Sequence, residues 1–488
     1  MLRSWKFNLV LKSTSRQAIY LQIAQQIIDE IQKGRLPAAT AMPGTREFAV
    51  HLSVNRKTVV LAYDELIAQG WLTTQNRRGT FVSSNLPNFA TYPPTQKQSS
   101  SQASGSNNAL ADYLSLPISA KEQLFIDFND GIPDTRLIPF DILSRAFRHV
   151  LLGPSKSNKL GYGDPKGVLA LRNAIARMLN IERGLNVATD EICIARGSQM
   201  GIFLAARVLT KPNDYIVVED LSYPPAREAF ESCGANILTV GLDAYGIDVI
   251  ALEKLCQKHP IRAIYVTPHH QFPTTVMMTA ERRLKLLMLA EQYDFTIVED
   301  DYDHEFHFSH HPVFPLASTN HHGRVVYVGS LSKVLAPGLR VGYLVADSAF
   351  IDQCANEVMI IDRQGNSITE LAIAELMESG EIKRHIRRTF KVYNERRSLL
   401  ISLIQQQLSE HTNFDAPNGG LAIWLRLNDE IEINRLVENA LNAQVRILPG
   451  TLFSANNLTV NAIRLGFGSL NAEELSAGIA RLKQVLSS

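Results

Sequence analysis

The residue of this 488-residue chain with the most chemistry to offer is a lysine at the end of an apolar run. Val325-Val326-Tyr327-Val328 reads as a strand that leads into Gly329-Ser330-Leu331-Ser332-Lys333, and Pro337-Gly338-Leu339-Arg340-Val341-Gly342-Tyr343 follows directly. A lysine among small hydroxyls at a strand end can reach inward as a nucleophile while Ser330, Ser332 and Arg340 hold a phosphate. An earlier strand, Phe295-Thr296-Ile297-Val298, ends in Glu299-Asp300-Asp301-Tyr302-Asp303. It delivers carboxylates and a phenol to the carboxyl end of a strand, where α/β folds bind ligands. Ala195-Arg196-Gly197-Ser198-Gln199-Met200 opens a helix expected over 201–209, so its amides can face the same phosphate. An aldehyde cofactor held as a Schiff base needs these parts: a lysine, an acid at the ring nitrogen, a phenol at the ring oxygen and a phosphate cup. Singly, each has a plainer reading. Lys333 could be a buried ion-pair partner, the acidic run a solvated turn or a metal site, and Gly-Ser a helix cap.

The elements that must position these residues fill a long chain. At roughly 150 residues per domain the length allows about three domains. Hydrophobic residues at 45% and charged residues at 20% exclude wholesale disorder and fibrous repeats. No apolar run approaches the roughly 18 residues of a membrane span, and Lys12 and Arg16 interrupt the opening stretch, so the expectation is a soluble, cytoplasmic protein. Cys193, Cys233, Cys256 and Cys354 are too scattered for a disulfide framework or zinc cluster. His269, His270, His304, His307, His310 and His311 are irregularly spaced, and the reading assigns no metal. Between 89 and 108 the chain is rich in Pro, Ser, Gln, Gly and Asn with almost nothing to bury, which suggests a flexible linker over 85–121. It separates a domain at 1–84 from one at 122–488, and in the latter short apolar runs alternate with helical patterns in the manner of an α/β fold.

The net charge of +1 conceals an asymmetry. Residues 1–83 carry eleven Lys and Arg against five Asp and Glu, a balance of +6 that leaves −5 for the remainder. Tyr20, Ile23, Ile27 and Ile31 recur at helical spacing up to Gly34. A second helix is expected from Thr45, as cap, to Leu52, and the turn Ser53-Val54-Asn55 enters a third that buries Val59, Ala62, Tyr63, Leu66 and Ile67. Asn55, Arg56, Lys57 and Thr58 in its first turn are suited to a recognition helix in the major groove. Trp71-Leu72-Thr73-Thr74 and Thr80-Phe81-Val82 would form a wing with the basic tip Gln75-Asn76-Arg77-Arg78-Gly79.

This first segment resembles the winged helix-turn-helix (α+β) domain of GntR regulators from Tyr20 to Val82, with Met42-Pro43-Gly44-Thr45-Arg46 standing where Leu-Pro-Ser-x-Arg is usual. The resemblance implies DNA contacts at Arg46, Asn55, Arg56, Lys57, Thr58, Arg77 and Gly79. The larger segment resembles an α/β fold-type I pyridoxal-phosphate domain of the aspartate aminotransferase kind. The stretches that carry this are Leu160-Gly161-Tyr162-Gly163-Asp164-Pro165-x-Gly167, Leu171-Arg172, Gly197-Ser198-Gln199, Glu299-Asp300-Asp301-Tyr302, Ser330-x-Ser332-Lys333, the run from Pro337 to Tyr343, Gly419-Gly420 and Ile463-Arg464-Leu465-Gly466-Phe467. Together the two are similar to the MocR/GabR subfamily of GntR-type regulators.

That similarity implies a Schiff base (internal aldimine) between Lys333 and pyridoxal 5'-phosphate, with Asp300 at the pyridinium nitrogen, Tyr302 at the ring hydroxyl and Tyr223 stacked on the ring. Gly197, Ser198, Gln199, Ser330, Ser332 and Arg340 would hold the phosphate. Arg464 and Tyr162 would receive an amino-acid-like effector, and the plainer reading of Arg464 is a surface ion pair. Two departures bear on the pocket: Asp220-Leu221-Ser222-Tyr223 replaces Asp-Pro-Gly-Tyr, and Thr274-Thr275 stands where the family has a glycine. The resulting expectation is a homodimeric regulator that binds a double-stranded operator and senses pyridoxal phosphate or an amino compound. The competing readings are an active aminotransferase that carries a DNA-binding domain, so that residual turnover stays open, and a regulator that has lost the cofactor.

Overall fold

A computed structural model of the chain describes residues 9–11, 18–68, 71–75, 78–84, 125–152, 161–308, 314–319, 323–331, 333–456 and 458–487. Two compact units emerge, Met1–Ser104 and Gly105–Ser488. The expected linker at 85–121 lies outside the described residues.

In the first unit, the helix α1 (Ile19–Gln32) buries Ile23, Ile27, Ile28 and Ile31, and the chain turns at Gly34 with φ 71°, a left-handed conformation that glycine adopts without strain. The helix α2 (Thr45–His51) starts as expected, but Thr45 is its first helical residue and Gly44 holds the cap position without a side-chain bond. The Thr45 hydroxyl instead accepts from Arg56 Nε at 3.4 Å. Helix α3 (Arg56–Ala68) buries Val59, Ala62, Tyr63 and Leu66, and its Tyr63 hydroxyl donates to the Pro43 carbonyl at 3.0 Å. Strand β1 (Leu72–Gln75) pairs antiparallel with β2 (Gly79–Val82), Leu72 opposite Val82, so the wing begins one residue after Trp71.

The second unit opens with β3 (Ile126–Asp127). Its main sheet has seven strands: β4 (Ile192–Ala195), β5 (Tyr215–Glu219), β6 (Asn236–Val240), β9 (Ile261–Val266), β10 (Thr296–Asp301), β11 (Val325–Ser330) and β12 (Gly342–Val345), after a hairpin of β7 (Leu242–Asp243) and β8 (Gly246–Ile247). Their order is β4-β12-β11-β10-β9-β5-β6, parallel except for β12. Helices α4 (Phe140–Leu152), α5 (Leu169–Glu182), α6 (Gly197–Leu209), α7 (Pro224–Ser232), α8 (Val249–Lys258), α9 (Ala280–Tyr293), α10 (Ser348–Ile361) and α11 (Ser367–Glu378) accompany it. One face of the sheet packs Val298, Val326, Val328 and Leu344 against Ile202 and Ala205 of α6 and Ile351 of α10. The other packs Ile297 and Val325 against Leu286 and Leu289 of α9. Buried on both faces, the strands read as continuous apolar runs, as parallel sheets do.

A smaller lobe follows the long helix α12 (Glu381–Gln407). Strands β13 (Thr412–Asn413), β14 (Ala422–Leu427), β16 (Leu448–Pro449) and β17 (Ala462–Gly466) form an antiparallel sheet in the order β13-β14-β17-β16. Strand β15 (Val445–Arg446) returns to pair with β3. Leu400, Ile423, Leu465 and Ile479 share the lobe's core with helices α13 (Ile433–Asn442) and α14 (Ala472–Leu486) beside it.

The topology brings the carboxyl ends of β4, β5, β9, β10 and β11 to one edge of the sheet. Gly197, Tyr223, Asp300, Ser330 and Lys333 all lie at or just beyond these ends, which is the ligand edge of an open α/β sheet.

Candidate functional site

Side chains alternate faces along a strand, so the register of β10 sorts its acidic end. Val298 packs on the α6 face, hence Asp300 projects to that side and Asp301 to the other. Asp300 is buried; its Oδ2 accepts from the Tyr265 hydroxyl at 2.8 Å, and no described residue bonds its Oδ1. Burial pushes the Asp300 carboxyl up to about 7, against the pull of the Tyr265 bond and of Lys333. Half-buried Lys333 places Nζ 4.4 Å from the centroid of the Tyr302 ring. Tyr302 is buried and its hydroxyl donates to the His270 carbonyl at 3.1 Å. Phe272 meets both Tyr302 (centroids 6.0 Å) and Tyr223 (5.2 Å) edge to face, so three aromatic rings wall the space beside Asp300. Tyr265 escaped the sequence reading, because only the pairing of Val298 with Tyr265 across β9 and β10 reveals that it reaches Asp300.

The expected phosphate end is built on close backbone approach. Helix α6 begins at Gly197 and not at the expected 201, so Gly197, Ser198 and Gln199 form its first turn. Those amides lack intrahelical acceptors and point outward with the positive end of the helix dipole. A Cβ on Gly342 would come within 2.5 Å of the Gly197 carbonyl carbon, so the glycine is what lets α6 sit directly on β12. Gly197 itself has φ 76°, and a Cβ there would meet the Arg340 guanidinium at 2.6 Å. Arg340 donates to the Arg196 carbonyl at 3.0 Å, and Ser330 is buried at the end of β11. Ser332 lies outside the described residues.

The two residues expected to receive an effector fare differently. Arg464 is only 1% exposed, which rules out the surface ion pair. Its Nη2 and Nε donate to the Asp130 carbonyl at 3.1 and 3.3 Å, its Nη1 donates to the Pro273 carbonyl, and its guanidinium carbon lies 4.6 Å over the Phe272 ring. Tyr162 is 80% exposed, and its described ring contact is with Arg363, 3.9 Å away, so the fold does not gather it with Arg464. At the expected departure, Thr275 has φ 63°, a left-handed conformation costly for a β-branched residue.

On the first unit, Arg46, Asn55, Arg56, Lys57 and Gly79 are exposed and Thr58 is half-buried. The Asn55 side chain is already in use: Oδ1 accepts from the Lys57 amide at 2.8 Å and caps α3. Through its contact with Thr45, Arg56 brings the starts of α2 and α3 together. Arg77 lies outside the described residues.

The model of the aminotransferase class I and II family matches residues 136–482, and that of the bacterial regulatory proteins of the gntR family matches residues 19–82. Over 97% of its length the chain is 28% identical to the probable rhizopine catabolism regulatory protein MocR of Rhizobium meliloti, covering 95% of that protein. The chain belongs to the MocR-type GntR regulators. This MocR-type chain is also 30% identical to the HTH-type transcriptional regulator TauR of Rhodobacter capsulatus, covering 95% of the one and 96% of the other. Its larger unit is similar to the kynurenine aminotransferase of Pyrococcus horikoshii, with a TM-score of 0.71 and 29% identity over 77% of this chain and 96% of that one. Like its relatives in the family, the MocR-type chain is a DNA-binding regulator by its first domain and aminotransferase-like by its second. Among the described residues no helix is long and apolar enough to cross a membrane.

Proposed function

We propose that this MocR-type chain is a cytoplasmic, homodimeric transcription regulator that holds pyridoxal phosphate at Lys333 and alters operator binding when an amino compound, or the cofactor itself, occupies that site. Its domains would run 1–84 and 122–488 around a linker. The observation that carries the reading is the buried Oδ1 of Asp300 on the Lys333 side, which has no hydrogen-bond partner among the described residues, because a buried carboxylate oxygen without a donor is costly unless a ligand supplies one. A protonated ring nitrogen is such a donor. When bound, pyridoxal phosphate supplies an aldehyde that reacts with amines and a ring that draws electrons.

The chain's own residues divide the remaining work. Lys333 offers the amine that anchors the cofactor. Asp300, held by Tyr265, keeps a proton on the ring nitrogen through its charge. Tyr302 would serve the ring hydroxyl, and Tyr223 would cover a ring face. The first turn of α6 with Ser330, Ser332 and Arg340 takes the phosphate. An effector that carries an amine and a carboxylate would bring its amine to the cofactor aldehyde in place of Lys333 and its carboxylate to Arg464. In doing so Arg464 would exchange backbone carbonyls for a charged fork, and such a difference in contacts is what a ligand needs to shift a conformational balance. Arg46, Arg56, Lys57, Thr58 and the wing would contact the operator.

The test follows visible absorbance and operator binding in the same samples, first with added pyridoxal phosphate and then with candidate amines. A cofactor band that shifts with an amine, a matching change in operator affinity and negligible product are the expected results. Lys333→Ala should abolish the band and the response while basal operator binding stays. Normal response in that variant would sink the proposal, and steady product formation would make the chain an enzyme.

A further inference from the structure

Four histidines that are scattered in sequence meet behind the cofactor cleft. His269 and His270 follow β9, while His304 and His307 follow β10. The His269 ring centroid lies 4.5 Å from that of His270, 4.6 Å from that of His304 and 5.4 Å from that of His307. His269 is 2% exposed, and among the described residues neither of its ring nitrogens has a hydrogen-bond partner. His270 is as deeply buried. Its Nδ1 shares a hydrogen bond of 2.8 Å with Asp303 Oδ1, and its Nε2 has no partner among the described residues. Burying three bare imidazole nitrogens is costly, and a missing ion is one of the few remedies.

We propose that His269, His270 and His307 form a binding site for one divalent transition-metal cation of the zinc class. Each of the three offers a ring nitrogen, and these atoms lie within 4.8 Å of one another. Around a tetrahedral ion with Zn–N of about 2.1 Å, imidazole centroids sit roughly 5 Å apart and the nitrogens roughly 3.4 Å apart. The observed centroid separations are 4.5, 5.4 and 5.9 Å, so a closure of roughly 1 Å completes the set and leaves a fourth position open. Asp303 plays the part that carboxylates play behind metal-bound imidazoles: it fixes the His270 ring so that Nε2 is the free nitrogen. Asp303, with Asp301 nearby, also brings negative charge to balance the cation. None of the three ligands is among the residues assigned to the cofactor, so the existence of the ion site does not depend on the function proposed above. The ion would clip the segment after β9 to the segment after β10. The Tyr302 bond to the His270 carbonyl joins this clip to the wall of the cleft.

The competing ligand set is His269 with Asp301 and His304, whose ligand atoms also lie within 4.8 Å of one another. His304 Nδ1 already lies 2.9 Å from Asp301 Oδ2, and that oxygen also accepts from the Tyr327 hydroxyl at 2.6 Å. The three-imidazole set is preferred because it also accounts for the buried Nε2 of His270, which the competing set leaves without a partner among the described residues. His310 and His311 lie outside the described residues.

The test uses tag-free full-length protein, stripped with a chelator and titrated with Co2+ and Zn2+. Readouts are metal retained after dialysis, the visible bands of bound Co2+, and the melting temperature. The expected result is one equivalent bound per chain, a Co2+ spectrum of tetrahedral type and a rise in melting temperature with Zn2+. Affinity should fall at least tenfold in His269→Asn and His307→Gln but not in His304→Gln. Since His269→Asn could unfold the chain, the half-buried His307→Gln keeps the proposal testable. Failure of the native protein to retain metal would overturn it, as would unchanged retention in His307→Gln. Loss in His304→Gln with retention in His307→Gln would overturn this ligand set in favour of the other.

Discussion

Asp300 and Asp301 are neighbours with identical side chains and opposite surroundings. Asp301 Oδ2 lies against His304, Arg183 and Tyr327, and against the penalty of burial the His304 and Arg183 contacts hold its carboxyl well below the usual range. Asp300 has one phenol and a nearby lysine, and burial leaves it at about 7. Each keeps a buried Oδ1 without a hydrogen-bond partner among the described residues, but the charge of Asp301 is already countered by Arg183, whereas Asp300 lies toward the Lys333 side. Asp300→Asn keeps the shape and removes the charge, so pyridoxal phosphate should bind about 10–100-fold more weakly, as befits the loss of a hydrogen bond between charged partners. A cofactor titration by absorbance measures this, and an unchanged affinity would place the ring nitrogen elsewhere. The acidic run and its place at a strand end were legible from the residues, but the division of labour was not, because it depends on which face of β10 each carboxyl leaves.

At the scale of elements, the site depends on how close α6 comes to β12. Gly342→Ala would set a Cβ 2.5 Å from the Gly197 carbonyl carbon, where backbone must move, so a loss of about 1–3 kcal/mol in stability is expected together with weaker cofactor binding. Thermal melting and the absorbance titration report the two effects, and a variant with both unchanged would show that α6 is not braced there. In the other unit the elements present the DNA face. Arg56 opens α3 and is exposed, so Arg56→Ala should cost about 1–3 kcal/mol of operator binding if it reads a base, and should weaken all sequences alike if it holds a phosphate. Comparison of the operator with unrelated DNA separates these. The start of α3 was legible because Asn55 is a cap residue followed by a helical apolar stripe. The start of α6 lies four residues before the expected one: Gly-Ser suggests a cap, but Arg196 holds the cap position without a side-chain bond and Gly197 is already helical, packed closely on Gly342.

For the whole molecule, charge and connectivity set the expected behaviour. The first 83 residues carry +6 and the rest −5, so operator binding should weaken steeply with salt through the small domain alone. If the larger units pair, two winged helices are tethered near each other, and an operator with both half-sites should bind about 10²–10⁴-fold more tightly than one with a single half-site. Gel shifts on both probes test this, and equal affinities would mean that the heads act singly.

By itself, the sequence determined that there are two folded units, which of them is of the DNA-binding kind, and that a lysine and an acid stand at strand ends of the larger one. Those properties follow from periodicity, composition and motifs that are contiguous in the chain. Tertiary structure decided what depends on pairs distant in sequence: Tyr265 on Asp300, Gly342 under Gly197, Arg464 drawn inside, and Tyr162 left outside. The histidines show the contrast most plainly. Their irregular spacing argued against a metal, yet β9 and β10 lie side by side in parallel, so the segments that follow them emerge together and bring His269 and His270 to His304 and His307. Spacing along a chain reports proximity only within one element, and the sheet register supplies the rest.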